Sequence, residues 1–332
     1  MAYIYKKKAG EKTYYYLRAS ERKGNKVIVK DIAYLGSSLD EVKKALDKLP
    51  KYSAQIRKAY RTIHNFLESN RYLEKAGALK LKKDEFLGDM LLEVEACKIH
   101  YNAEFKKQHL LTRQQIIKNF VIEFAYNTTA IEGNTIKLIE ARNLLEEGLT
   151  PKNKSLREIY DVQNTEKVFF FIVNANDELS HDFIINIHKE LMKNIDARIG
   201  YRTSDVRVIK ANFKATPFPY VKTDMELLLK WYKEHKSRLH PLVLAAIFHH
   251  KFEKIHPFMD GNGRVGRMLL NYILIRNNCP PIVIRIKSRN EYLLSLREAD
   301  KNGLVETNKE NYERLAIFTA EQMSQSYWNI FL

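Results

Sequence analysis

One stretch of this chain gathers a proton acceptor, a hard carboxylate, a glycine-rich turn and two guanidinium groups within twelve residues: His256-Pro257-Phe258-Met259-Asp260-Gly261-Asn262-Gly263-Arg264-Val265-Gly266-Arg267. Apolar periodicity over Leu242–Phe252 predicts a helix that enters the stretch, and Arg264–Arg276 predicts a second helix that leaves it. A turn of Pro, Asp, Gly and Asn between two helices leaves the first N–H groups of the second one facing outward. Glycines there let an anion approach the backbone, and the helix dipole favours it. Arg264 and Arg267 stand three apart, on one helical face, so both can reach a polyphosphate. Asp260 is the kind of ligand Mg²⁺ takes when it bridges phosphates. His256, at the lip, has a pKa suited to accepting a proton from a hydroxyl. The plainer reading is a helix cap with salt-bridged arginines, which leaves the histidine at the lip without a role.

These residues match the Fic family motif, HPFx(D/E)GNGRxxR, at every defined position. The resemblance runs over roughly residues 112–320. Gly200-Tyr201-Arg202 and Val206–Val221 resemble the family's approach to a β-hairpin flap that aligns the target segment, and Trp231 follows at the usual distance. His240-Pro241 through His249-His250 resembles the helix that enters the motif, and Tyr292 stands where the family packs a ring near the nucleotide. The resemblance implies a protein adenylyltransferase: AMP passes from ATP to a Ser, Thr or Tyr hydroxyl of a target protein. By the same resemblance His256, Asn262 and Arg264 are the catalytic set, with His256 as base. Asp260 holds Mg²⁺, the amides of Gly261, Asn262 and Gly263 cradle phosphates, Arg267 takes the γ-phosphate, and Tyr292 lies by the nucleotide. A phosphate-transferring branch has Lys where this chain has Gly263, so Gly263 favours nucleotidyl transfer.

Upstream, Thr128-Thr129-Ala130-Ile131-Glu132-Gly133 resembles the family's inhibitory motif, (S/T)xxxE(G/N), with Thr128, Glu132 and Gly133 at its defined places. The resemblance implies that Glu132 pairs with Arg267 and blocks the γ-phosphate's clamp, from an inhibitory helix at about 116–134. The same glutamate could instead orient a water that removes AMP from a modified target. A helix-ending Glu–Gly without regulatory meaning is the third reading.

The elements that must position these groups read as mainly α. Apolar residues make up 45% of the 332 and charged residues 29%, with 12 Gly and 8 Pro, a globular and helix-tolerant composition. Helices are expected at 112–126, 135–148, 155–175, 181–195, 223–236 and 241–254. Residues 51–109 read as two or three antiparallel helices broken near Gly77 and Gly88, preceded by a Ser38/Glu41 capping-box spacing. Ahead of them, Tyr3–Tyr5, Thr13–Leu17 and Lys26–Leu35 predict a small antiparallel β segment. The expected division is 1–38 (basic, Tyr-rich β), 39–111 (helical linker) and 112–332 (a Fic-type helical bundle with a short β-hairpin flap).

Charge and cysteines set the remaining expectations. The net charge is +16, and residues 1–38 hold nine Lys/Arg against three Asp/Glu, interleaved with Tyr3, Tyr5, Tyr14, Tyr15 and Tyr16. That mixture suits nucleic acid, with Lys on phosphates and rings on bases; it also suits a thin sheet whose edges lysines protect. Cys97 and Cys279 cannot form a disulfide framework and read as reduced thiols. No secretory signal or membrane span is expected, which places the protein in the cytoplasm. A homodimer is a candidate assembly. His181, His188 and His235 read as packing or surface residues, His249-His250 as support for the site, Phe169–Phe171 as core, and Lys152–Lys154 as a solvated cluster.

Overall fold

In the computed structural model, which describes residues 2–24, 26–206 and 215–332, the tyrosine-rich start forms a three-stranded antiparallel meander. Its strands are β1 (Ala2–Ala9), β2 (Lys12–Lys23) and β3 (Lys26–Gly36), in the order β1-β2-β3. They run beyond the expected limits because the hairpin arms continue past the apolar residues as charged ribbon. Alternation puts Ile4, Tyr15, Leu17 and Leu35 on one face, where they are buried against Leu39 and Val42 of α1 (Leu39–Asp47) and Ile63 and Leu67 of α3 (Tyr60–Gly77). The short α2 (Ser53–Lys58) lies between those helices in sequence. Ser38 caps α1 as expected, its hydroxyl accepting from the Glu41 amide at 3.3 Å.

Contacts divide the chain at Leu81 and Lys82 into two compact units, inside the stretch expected as a linker. The breaks near Gly77 and Gly88 fall where expected, but the helix after Gly88 belongs to the second unit. That unit contains α4 (Met90–Ala103), α5 (Leu110–Ile131), α6 (Leu138–Glu147), α7 (Leu156–Asn174), α8 (His181–Leu191), α9 (Val221–His235), α10 (Pro241–Ile255), α11 (Asn262–Arg276), α12 (Arg289–Ala299) and α13 (Lys309–Ile330). The helix starting with the motif begins at Asn262, two residues before its expected start, because Asn262 and Gly263 already carry helical backbone. The expected flap at 206–221 lies largely outside the described residues, at 207–214. Phe218–Tyr220 form a 3₁₀ turn and Val221 already opens α9, two residues before the helix expected from 223.

Helix α10 is the axis of this unit. Leu242 to Phe252 are buried without a break, His249, His250 and Lys251 among them, so the helix is enclosed on every side by others. It packs against α11, whose residues Val265–Leu274 are also buried. Burying each Leu, Ile, Phe or Met contributes about 1.5–3 kcal/mol. Neither helix can slide without breaking many such contacts, so the loop between them hangs from a rigid frame. The mid-part of α5 joins the same interior, with Phe120 and Phe124 against Phe169 and Phe120 against Phe331.

Candidate active site

The frame ends in a strained turn. His256 closes α10 in the left-handed region, at φ 54° and ψ 59°, a conformation costly for a residue with a Cβ. Arg202 supplies what holds it there. Its Nε donates to the His256 carbonyl at 2.8 Å, its Nη2 to the carbonyls of Ile255, at 3.4 Å, and Thr216, and its backbone N–H to the Pro257 carbonyl at 2.9 Å. Carbonyls at a helix C-terminus lack partners and carry negative charge, so one buried guanidinium answers several of them. The His256 Nδ1 lies 3.3 Å from the Glu253 carbonyl. A carbonyl only accepts, so Nδ1 carries the proton and Nε2 is the basic nitrogen. Burial keeps the His256 imidazole below its ordinary pKa, against the Glu253 carbonyl and the charges of Glu132 and Asp260. It is therefore neutral, and ready to accept a proton, at physiological pH.

The loop's shape is set by Asn262. Its Oδ1 accepts from the Phe258 N–H at 2.9 Å and its Nδ2 donates to the Phe258 carbonyl at 2.8 Å. Both ends of this buried amide are thus committed to stitching the loop. Gly261 caps α11 at φ 83°, where a Cβ would also meet the Met192 sulfur at 2.8 Å. Phe258 stacks on His188, ring centroids 3.8 Å apart, and the His188 Nε2 meets the Asp260 carbonyl at 3.1 Å. Burial drives the His188 pKa down to about 4, so it braces the loop as a neutral ring.

A network of opposite charges surrounds the turn. Asp260 pairs with Arg157 and with Arg264, at 3.2 Å to the latter, and accepts from the Gly261 N–H at 2.6 Å. Burial works to raise its pKa, but Arg264 and Arg157 outweigh burial and hold the carboxyl below its usual range. Arg264, almost fully buried, also pairs with Asp161. Burial raises the Asp161 pKa, with Arg264 and Arg157 opposing. Arg157 and Asp161 stand four apart, on one face of α7. Sequence reading missed both, as it missed the bracing roles of Arg202 and His188; the i, i+4 Arg–Asp spacing was the signal available, and it is common on surface helices.

Thr128 and Glu132 both contact Arg267 of the motif, and Gly133 follows Glu132 at φ 107°. The Arg267 Nη2 lies 2.7 Å from the Glu132 Oε1 and 3.0 Å from the Thr128 carbonyl, while Nε donates to the Thr128 hydroxyl at 2.7 Å. Burial disfavours the Arg267 charge, yet Glu132, Tyr292 and Glu253 raise its pKa above the ordinary value. A Cβ on Gly263 would overlap the Glu132 carboxylate and come within 2.9 Å of the Arg267 Nη1. The carboxylate therefore rests over the first turn of α11, where an anion is favoured. Glu132 itself ends α5, whose last turn is tied down by Arg289 donating to the Ile131 carbonyl at 3.1 Å. The following Thr135 donates from its amide and hydroxyl to Glu158, at 3.0 and 2.6 Å.

Behind Arg267, Tyr292 is fully enclosed. Its hydroxyl lies 2.6 Å from the His249 Nε2, and the two rings stack. His249, held near pKa 3 by burial, stands 4.0 Å from Glu253 through Nδ1. Among the described residues neither that nitrogen nor the Glu253 Oε1 has a hydrogen-bond partner, and burial pushes Glu253 up to about 8. His249 thus packs on the ring behind Arg267, whereas His250 bonds Tyr312 and Asp300, at 3.0 Å each. Tyr292 touches the site from behind rather than lining an open nucleotide surface.

The architecture is thus a helical bundle whose buried central pair presents a glycine-rich turn, a neutral histidine and paired arginines. Residues 178–274 match the Fic/DOC family, and the chain carries a Fic domain. Over 203 residues it is 32% identical to the protein adenylyltransferase fic-1 of Caenorhabditis elegans, an alignment covering 59% of this chain and 40% of that protein. The protein adenylyltransferase Fic of Aedes aegypti is 31% identical over 198 residues, 56% of this chain and 38% of the relative. The chain thus spans about two fifths of the length of these curated relatives. Among solved structures, Fic-1 of C. elegans superposes with a TM-score of 0.61 at 25% identity, covering 88% of this chain and 82% of that one. A Fic-domain signalling protein from Bacteroides thetaiotaomicron shares the fold, with a TM-score of 0.66 at 23% identity over 72% and 96% of the two chains.

Proposed function

We propose that this protein transfers AMP from ATP to a hydroxyl of a target protein, and that Glu132 holds the activity down. The observation that carries the reading is the complete HPFMDGNGRVGR loop, with a neutral His256 at its lip and the Glu132 carboxylate lying over the α11 N-terminus against Arg267. The names of the relatives, protein adenylyltransferases, support the same activity.

In this reading His256 Nε2 takes the proton of a Ser, Thr or Tyr hydroxyl. The oxygen forms a bond to the α-phosphorus, the α–β anhydride bond breaks, and pyrophosphate leaves. Arg264, fixed by Asp161 and Asp260, and the backbone amides of Gly261, Asn262 and Gly263 offer positive partners to the phosphates. Arg267 serves the γ-phosphate once Glu132 withdraws. Catalysis is by positioning and by preorganised charge. Asn262 acts through the loop it stitches, as a positioning residue.

Mg²⁺ fits the donor set. Asp260 is a partly exposed carboxylate held ionised by its neighbours, and this ion takes one or two carboxylates with phosphate oxygens and waters. The described residues contain no group of three or more His, Cys, Asp or Glu, so the other ligands would come from nucleotide and solvent. Asp260 would hold the ion, which supplies neutralisation of phosphate charge. Among the described residues no helix is long and apolar enough to cross a membrane. Buried, unbridged Cys97 and Cys279 and the use of ATP suit the cytoplasm.

The test is label transfer from α- and γ-labelled ATP with Mg²⁺ into proteins of a host-cell lysate, using wild type, Glu132→Gly and His256→Ala. Protein labelled from the α-label alone, more in Glu132→Gly and absent in His256→Ala, is the expected result. Labelling from the γ-label would mean phosphate transfer and overturn the reading. Loss of AMP from a pre-modified target, dependent on Glu132, would make the enzyme one that works in reverse.

A further inference from the structure

We propose that the outer face of the N-terminal sheet binds a single strand of nucleic acid, independently of the nucleotide chemistry in the second unit. The inner face already supplies the core of the first unit, through Ile4, Tyr15, Leu17 and Leu35. The outward tyrosines are therefore surplus to that core, and they are arranged in order. Tyr5 pairs across the strands with Tyr16, and Tyr16 with Tyr34, so three rings form one row across all three strands. Tyr16 and Tyr34 have ring centroids 5.4 Å apart, and Tyr14, the next outward residue on β2, lies 6.4 Å from Tyr34. Tyr34 is 54% exposed. On the other side of the row the Arg18 guanidinium covers the Tyr5 ring at 3.4 Å, oriented by its ion pair with Asp31.

Rings presented side by side, with a guanidinium among them, are what bases stack on, and every base has a face to offer. The row and its flanks from Tyr3 to Lys7 extend four residue steps, about 13 Å, room for two or three bases. Charge agrees. Residues 1–81 contain nineteen Lys and Arg against eight Asp and Glu, so a quarter of the chain carries most of its net charge of +16. Lys7, Lys8, Lys12, Lys23, Lys26 and Lys30 are all exposed on the meander. A phosphodiester backbone meets that field, while a duplex would keep its base faces from the rings. An acidic protein or an anionic membrane would use the lysines and leave the row of tyrosines without a role.

The test is fluorescence anisotropy of a 5′-fluorescein-labelled 12-nucleotide single strand, as DNA and as RNA, with the full chain at 50–300 mM salt. The matching duplex and phosphatidylserine vesicles serve as competitors. Salt-sensitive binding to the single strand is expected, preferred over duplex and vesicles. Tyr34→Ala should lower affinity at least about five-fold and Tyr34→Phe should leave it unchanged. Lys7→Gln should reduce the slope of log K against log salt by about 0.7 if it meets one phosphate. Circular dichroism and the melting temperature check that Tyr34→Ala is folded, a mild demand for a half-exposed side chain. Tighter binding to duplex or vesicles, no binding at 50 mM salt, or equal affinity for wild type and folded Tyr34→Ala would each overturn the proposal.

Discussion

Replacing Glu132 by Gln isolates the charge of the Glu132–Arg267 contact without changing its size. The Oε1–Nη2 distance is 2.7 Å, with Arg267 3% exposed and Glu132 43% exposed. A buried hydrogen bond between charged groups contributes roughly 1.5–3 kcal/mol, and an exposed ion pair usually below about 1. With one partner buried and the other in solvent, about 1–2 kcal/mol is a fair discount. Losing that much lowers Glu132's hold on Arg267 by roughly 5- to 30-fold. The initial rate of AMP incorporation from α-labelled ATP should rise by the same factor in Glu132→Gln, and further in Glu132→Gly. The gain over wild type should shrink at 1 M salt, where the screening length is about 3 Å. Arg267 keeps its two contacts to Thr128 in every variant, so the clamp itself stays in position. If Glu132→Gln matches wild type while Glu132→Gly is activated, bulk and not charge blocks the site. If neither variant exceeds wild type, the reasoning about Arg267 is wrong.

Three further outcomes follow from the site's supports. Arg202→Gln leaves the carbonyls around His256 short of donors, so it should lower kcat at least about ten-fold with little change in KM for ATP, read from steady-state label transfer. Asp161→Asn removes the carboxylate from a buried arginine that keeps only Asp260, and should destabilise the fold by about 1–3 kcal/mol in urea unfolding. Glu253 binds its proton more tightly folded than unfolded. Its contribution to stability is therefore present below the ordinary carboxylate range and fades as pH rises toward about 8. Glu253→Gln should flatten that decline, so its melting temperature should overtake wild type between pH 5.5 and pH 8.5.

The sequence made the local features legible and hid the long-range ones. The anion turn, the two helices around it and the Ser38 cap are written in contiguous residues, where periodicity and capping chemistry operate. The Glu132–Arg267 contact spans 135 positions and was reachable only because two short motifs occurred together. Arg157 and Asp161 had no such motif, and the Gly200-Tyr201-Arg202 resemblance gave Arg202 no bracing role. Their roles depend on which helix faces become neighbours, and an arginine bracing carbonyls leaves no pattern in sequence. Asn262 was read among the catalytic residues; its amide is committed to Phe258, because a polar side chain inside a tight loop satisfies the loop's own backbone first. The boundary at Leu81 was likewise invisible, since no Pro, Gly or Ser-rich linker marks it in the chain.

Helix α5 bears Glu132 at its end and Phe120 and Phe124 in its middle, both enclosed with Phe169. Pulling the helix away would expose those rings, at about 1.5–3 kcal/mol for each one. If Glu132 restrains the site as proposed, a regulator finds no separate part to remove. It can work only on the last turn and the short segment after it, where Lys154 and Glu158 grip Thr135 at the surface. In the proposed reading the restraint on Arg267 is therefore held by cohesion of the interior, and proteolysis that severed it would dismantle the helical unit with it.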